Sequence, residues 1–271
     1  MSQDNNVSNF NDILKNLKDL TNTFVVEAYV PSLGNSLTFR ELNARQQKLL
    51  LETLTDDSLY KTQFTKQYLN ILKENITTDF DVNTLSIFDK IFIGMSLRSK
   101  ISTKYNMVFN ESPRYSEEVN LENVLINFKN YKQPQPHQIK INKNEVDVCV
   151  ELTIPTVLME SKYEEELYAS YKKVEDIKDA KEVGNILSNA FIGEISKYIT
   201  KIIFSGQEIE FNNLTIPQRI RITEQLTGDI VQNILTKISE WKESVNSFIT
   251  LESSDKKYSK VLSLDNLLFL S

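Results

Sequence analysis

Asp79-x-Asp81-x-Asn83 has the oxygen donors and spacing with which a helix–loop–helix calcium site opens. Such a loop also needs glycine at its sixth position and a bidentate glutamate at its twelfth. Thr84 and Lys90 stand there instead. The three residues therefore read as acidic capping at a helix N-terminus, where a carboxylate meets free N–H groups. One histidine, His137, and one cysteine, Cys149, are too few soft ligands for a structural zinc site, and a lone thiol forms no internal disulfide. His137 follows Gln133-Pro134-Gln135-Pro136 with no nucleophile at motif spacing, so an exposed loop histidine is expected. Cys149 lies between Asp147 and Glu151 on a strand. Negative neighbours disfavour a thiolate, so this thiol reads as structural.

Glu164-Glu165-Glu166 offers carboxylates for acid–base work, but consecutive helix residues point 100° apart and cannot converge on one substrate atom. A solvated face is expected. Lys256-Lys257-x-x-Lys260 is a basic patch whose only stacking aromatic is Tyr258, too little for a nucleic-acid platform. Six glycines, at 34, 94, 184, 193, 206 and 228, spell no phosphate-cradling loop. These residues predict no metal, no organic cofactor and no enzymatic site. The alternative is an enzyme that uses only Asp, Glu, Lys, Ser and Tyr.

One pattern points to a partner. Val231, Ile234, Ile238, Trp241, Val245 and Phe248 step by 3, 4, 3, 4, 3, a heptad seam of about two and a half repeats. Lys237, Glu240, Lys242 and Glu243 flank it. The seam either packs on the protein's own core or meets another chain, with Trp241 near the centre of the contact. A second row, Ile222, Leu226 and Ile230, offers a face for the core and would free the heptad row for a partner.

The elements that must position these residues can be read from periodicity. Phe10, Ile13, Leu14, Leu17 and Leu20 predict a helix over 8–21. Residues 24–30 read as a strand that Pro31 stops, with Leu37 and Phe39 resuming it as a hairpin. Thr38-x-x-Glu41 reads as a capping box that opens a helix through Leu54. Tyr60, Phe64, Tyr68, Ile71 and Leu72 mark one helix, and Leu85, Phe88, Ile91, Phe92 and Met95 another, ending near Arg98. Irregular strands are expected near Met107 and over 124–128. Val146, Val148, Val150, Leu152 and Ile154 alternate with polar residues, and Ile139 and Ile141 form the other arm of that hairpin. Helices are expected over 160–182 and over 183–203, the second with a wide buried stripe. A short strand at 209–211 follows. Thr215-x-x-Gln218 opens a helix running to about Phe248, and 261–270 reads as a last strand.

The fold class expected is α+β, helix-rich with small antiparallel hairpins and two loosely divided lobes. The expected division is an N-terminal helical arm (1–22), an α+β lobe (23–110), an irregular connector with three prolines (111–136) and a C-terminal α+β lobe (137–271).

The 271 residues carry 31 Lys and Arg against 37 Asp and Glu, a net charge of −6. That balance argues against nucleic acid or an anionic membrane surface as partner. No apolar run approaches the ~18 residues of a membrane span, and the polar residues 1–9 resemble no secretory signal, so folding in the cytoplasm is expected. Lysine outnumbers arginine 25 to 6 and asparagine outnumbers alanine 26 to 5, a bias of the kind an AT-rich genome leaves.

The stretch Val30-Pro31-Ser32-Leu33-Gly34-Asn35-Ser36-Leu37-Thr38-Phe39-Arg40-Glu41-Leu42-Asn43-Ala44-Arg45-Gln46-Gln47-Lys48 resembles the N-terminal signature of a baseplate hub subunit family of T-even-like contractile-tailed bacteriophages. The shared pattern is a strand, a Pro-Ser-x turn, Phe-x-x-Leu and a polar helix with Gln-Gln-Lys. Phe88-Asp89-Lys90 leading to Leu97-Arg98 resembles that family's Asp-plus-Leu-Arg helix. Leu214-Thr215-Ile216-Pro217-Gln218-Arg219 leading to Glu224-Gln225-Leu226 resembles its late capped helix. The resemblance implies a tail structural or assembly role without catalysis, as a hub component or as an assembly chaperone absent from the mature virion. The implied partners are other baseplate hub or tail proteins, or further copies of the chain. The implied location is the host cytoplasm during assembly and the virion baseplate if the protein is retained.

Overall fold

The computed structural model describes residues 12–13, 15–17, 23–55, 64–109, 115–143, 146–172, 180–255 and 257–262. The first hairpin pairs β1 (Val25–Val30) with β2 (Asn35–Arg40) in antiparallel register, Ala28 opposite Leu37. Val26, Ala28, Val30, Leu37 and Phe39 point inward and are buried, as the alternation requires. Gly34 closes the turn at φ +65°, a backbone state that favours glycine. Helices α1 (Ala44–Thr55), α2 (Phe64–Asn75) and α3 (Ile87–Ile101) follow. The next hairpin is β3 (Lys104–Phe109) with β4 (Tyr115–Asn120), then one turn of helix, α4 (Glu122–Leu125).

A four-stranded antiparallel sheet in the order β5-β6-β7-β8 forms the second half. Its strands are β5 (His137–Lys143), β6 (Val146–Leu152), β7 (Ile199–Phe204) and β8 (Gln207–Glu210). Between β6 and β7 the chain makes α5 (Val157–Lys172) and α6 (Ala180–Ser196). After β8 come α7 (Ile216–Thr223), α8 (Gly228–Ile249) and the small pair β9 (Thr250–Glu252) and β10 (Ser259–Val261). Ser205 and Gly206 both have positive φ, the geometry of a two-residue hairpin turn between β7 and β8.

The fold is α+β with small antiparallel sheets, built around two hydrophobic cores. The first gathers Val26, Phe39, Leu50, Tyr68 and Leu72. The second gathers the inner face of the sheet with Ile230, Ile234, Ile238, Trp241, Val245 and Ile249 of α8. Helix α3 belongs to both, giving Ile93 and Leu97 to the first and Phe88, Phe92 and Met95 to the second. Ten of its 15 residues are buried, so it acts as the wall between the two cores.

Several expectations are corrected. Thr38 does not cap a helix. It pairs with Glu27 in β2, and its carbonyl accepts the Thr77 N–H at 2.9 Å. The box forms five residues later, where Asn43 Oδ1 accepts from Gln46 N (3.0 Å) and Gln46 Oε1 from Asn43 N (3.2 Å). Of the 111–136 connector, the described residues 115–136 carry β4, α4 and a 3-10 turn, and 124–128 is not a strand. Leu121, Phe128 and Tyr131 from it lie in the larger core.

The helix expected over 183–203 ends at Ser196, because Ile199-Thr-Lys-Ile-Ile-Phe is rich in β-branched residues and pairs on both edges with β6 and β8. The short strand expected at 209–211 is β8, which starts and ends earlier, and Phe211 opens a 3-10 turn. The long helix from Thr215 breaks at 224–227, where Thr227 adopts an extended N-cap backbone before Gly228. Of the expected 8–21 helix, residues 12–13 and 15–17 are helical, with Ile13 and Leu17 exposed, and the rest lies outside the described residues. Tyr60, and 263–270 of the last expected strand, also lie outside them.

Candidate functional site

Helix α5 starts where it does because its first turn is tied to the start of α3. Val157 N donates to Leu85 O (2.8 Å) and Ile87 N to Pro155 O (3.0 Å). This clamp sets Lys90 of α3 beside Glu160 of α5, and the two side chains form an ion pair, both mostly shielded from water. Lys197, just past the end of α6, reaches Glu194 Oε2 at 2.7 Å and lies 3.8 Å from Glu160 Oε1. Lys242 of α8 meets Glu194 Oε1 at 3.1 Å. Burial pushes the Glu160 carboxyl up, but Lys90 and Lys197 outweigh it and hold the group below the usual carboxylate range. Burial likewise works against the Lys197 ammonium, and Glu160 and Glu194 outweigh it, so that group sits above its usual range.

One helical turn further on, Glu164 shares this face of α5 with no lysine of its own. Its Oε1 accepts from the Thr65 hydroxyl at 2.7 Å, and its Oε2 is buried with no hydrogen-bond partner. Burial, with the neighbouring Glu160 charge, pushes its carboxyl up to about 7.

Helix α7 is anchored by Arg219, which is 2% exposed. The Thr215–Gln218 capping box, with Pro217 in the first turn, places this helix as the sequence predicts. Arg219 Nε donates to Phe211 O (2.9 Å) and a terminal nitrogen to Asn212 Oδ1 (3.3 Å). Its guanidinium carbon lies 5.9 Å from the Tyr163 ring centroid and 5.5 Å from that of Phe211. Tyr163 and Ser196 hydroxyls hydrogen-bond at 2.6 Å. Neutral acceptors and ring faces thus hold this buried cation.

Between α5, α6 and α7 lies a cavity of about 410 Å³. Leu167, Ile186, Ala190, Ile216 and Ile220 give it apolar walls, and the paired Glu160, Glu194 and Lys197, with Glu164, Glu166, Glu224 and Arg221, give it charge. Outside it, α6 continues its apolar surface into water. Val183, Leu187 and Phe191 are 40%, 54% and 53% exposed. The buried stripe expected there is therefore half uncovered. The geometry provides a carboxylate with one hydrogen-bonded and one unpartnered oxygen beside apolar walls. It provides no nucleophile–base pair among the described residues, since Tyr163 and Ser196 bond each other and Glu164 bonds Thr65.

The heptad residues lie elsewhere and are corrected as a partner surface. Ile234, Ile238, Trp241 and Val245 are buried in the protein's own core, and Val231 and Phe248 pack against it. Trp241 is 3% exposed and sits against the Tyr198 ring. The seam is narrow because the exposed side of α8 carries its charged residues, and the core takes every apolar row of that helix.

Asp81 caps a 3-10 turn by accepting from Asn83 N at 3.0 Å, the capping role expected of that acidic run. His137 is exposed, as expected, but it opens β5 and is not in a loop. Cys149 sits partly buried in β6. Lys257 pairs with Asp255 at 3.4 Å; Lys256 lies outside the described residues. The acidic run 164–166 divides: Glu165 pairs with Lys66 at the surface (2.8 Å), while Glu164 turns inward, against expectation. Glu160 and Glu164 flank the Tyr163–Leu167 apolar stripe at helical spacing, and that was the signal in the sequence for an inward carboxylate. Lys197 and Arg219 carry no such signal.

No helix among the described residues is long and apolar enough to cross a membrane. No family model, no curated protein and no solved structure matches the chain.

Proposed function

We propose that this chain is a structural or assembly protein of a contractile-tail phage baseplate hub and works through protein–protein contacts. The observation that carries this reading is the resemblance over residues 30–48, supported by the way its parts meet in space. The Pro31-Ser32 turn of the first segment docks on Asp89 of the second, where Asp89 Oδ1 accepts the Ser32 N–H at 2.9 Å and Oδ2 accepts from Ser86 N. The third segment forms the capped helix that bears Arg219. The resembling residues therefore serve as joints of a scaffold. The half-covered apolar face of α6 supports the contact role, since exposed apolar patches beside polar rims mark binding surfaces.

A second reading, an enzyme built on Asp, Glu, Lys, Ser and Tyr, draws on one observation, the Glu164 carboxyl titrating near 7 in a cavity. The absence of a nucleophile–base pair among the described residues weighs against it.

The test is the gene's surroundings in its native genome. The hub reading expects tail-tube, hub or spike genes alongside. A metabolic operon would contradict it. Mass spectrometry of purified particles then separates a retained hub component, which is present, from an assembly chaperone, which is absent.

A further inference from the structure

We propose that the cavity between α5, α6 and α7 receives a short segment of a partner protein in which a lysine or arginine is flanked by apolar side chains. The cation meets Glu164, and the apolar residues lie along Ile186 and Ile220 and out onto Leu187 and Phe191. This inference rests on the protein–protein reading above and names the chemistry of the partner.

Glu164 is the first argument. The other inward carboxylates of this region are matched: Glu160 by Lys90 and Lys197, Asp89 by two backbone N–H groups. Among the described residues Glu164 is the carboxylate with a buried oxygen left without a partner. A buried polar atom of this kind costs free energy until something satisfies it. A cation is the group that fits, because the cavity is lined by five glutamates, Glu160, Glu164, Glu166, Glu194 and Glu224, against two cations, Lys197 and Arg221.

Charge at the rim agrees. Glu166 and Glu224 line the same cavity, and Arg221 is the one cation beside them without an ion pair among the described residues. Glu160 and Glu194 of the same lining are paired with lysines, so among the described residues Glu164, Glu166 and Glu224 are set against one unpaired guanidinium and the mouth is acidic.

The apolar surface argues for a protein segment over a small cation. Ile186 and Ala190 line the cavity, and Val183, Leu187 and Phe191 form the neighbouring row of the same helix at i, i+4, i+8. A small amine would fill the cavity and leave that row in water. A peptide covering both rows makes an apolar interface centre with an acidic rim.

The test pans a displayed library of random 12-residue peptides on the full chain, with Ile220→Asp protein as the counter-selection. The expected result is enrichment of sequences with Lys or Arg between Leu, Ile, Phe or Met. The best peptide, synthesised with a fluorescent label, binds wild type at least about tenfold tighter than it binds Glu164→Gln, an ion-pair-sized effect. Changing its basic residue to Met removes that discrimination. Binding tightens from pH 6 to pH 8, because the cation prefers ionised Glu164. Glu160, Lys90 and Lys197 also face this carboxyl. Glu160 is held below its usual range and Lys197 above it, so the change in that window falls on Glu164. Phe191→Asp, at an exposed position, weakens binding without altering thermal unfolding. Peptides that bind all variants equally overturn the cavity proposal and leave the protein–protein reading standing. No enrichment over the counter-selection also overturns the cavity proposal, and the hub reading then stands or falls on the gene's surroundings.

Discussion

Ser32 donates its backbone N–H to Asp89 Oδ1 at 2.9 Å, across 57 residues of chain. The bond pins the first hairpin turn to the N-terminus of α3, the helix shared by both cores. The second oxygen of Asp89 takes Ser86 N and closes a capping box with the Ser86 hydroxyl. Burial pushes this carboxyl up in spite of those bonds, so joining the two elements through Asp89 carries a desolvation cost.

Asp89→Ala orphans two N–H groups at once. The expected loss is about 2–4 kcal/mol of folding stability, at about 1–3 kcal/mol for each buried donor left unpaired. Asp89→Asn keeps one acceptor and loses less. Chemical denaturation measures both. A loss below about 1 kcal/mol for Asp89→Ala would show that the joint is not structural.

Glu164→Gln should stabilise the protein in alkaline but not in acidic solution. The folded carboxyl takes its proton near 7, above the ordinary glutamate value of 4.5. Between those values the folded state binds more protons than the unfolded chain, so stability falls as pH rises through the window, and the loss is complete above 7. Glutamine carries no such charge and can still accept from Thr65. Each pH unit across the window is worth about 1.36 kcal/mol before water screens part of it, so the gain at pH 8 should reach about 1–2 kcal/mol and vanish near pH 4. Thermal unfolding at the two pH values checks it, and an equal gain at both would contradict the assignment.

Trp241→Ala should weaken folding and leave no separable effect on a partner. The indole is buried in the second core beside Tyr198, and truncations of this kind cost about 3–5 kcal/mol. A variant that unfolds at the wild-type temperature and loses only partner binding would restore the interface reading of α8.

Short-range chemistry is legible in the sequence where only one partner is possible. Thr215–Gln218 caps a helix because Pro217 fixes the first turn. Thr38–Glu41 fits the same template and fails because pairing with β1 claims Thr38, leaving Asn43 and Gln46 to form the box. The heptad seam of α8 is real in sequence, but periodicity says which residues share a face and not what covers that face. The sheet of β5 to β8 supplies the cover. The candidate site was hidden for a related reason. Glu164 looks solvated within an acidic run, and Thr65, Lys90 and Lys197, which set its surroundings, come from distant parts of the chain.

Co-purification decides whether this chain holds tail proteins through the exposed face of α6. The chain is co-expressed with the products of its neighbouring genes, as wild type and as Phe191→Asp, and thermal unfolding is recorded for each. Wild type is expected to carry a tail protein through purification, and Phe191→Asp to lose it while unfolding within about 2 °C of wild type, as a surface change within about ±0.5 kcal/mol should. A wild-type chain that binds none of these products, or a Phe191→Asp variant that keeps its partner as well as wild type does, would contradict this expectation.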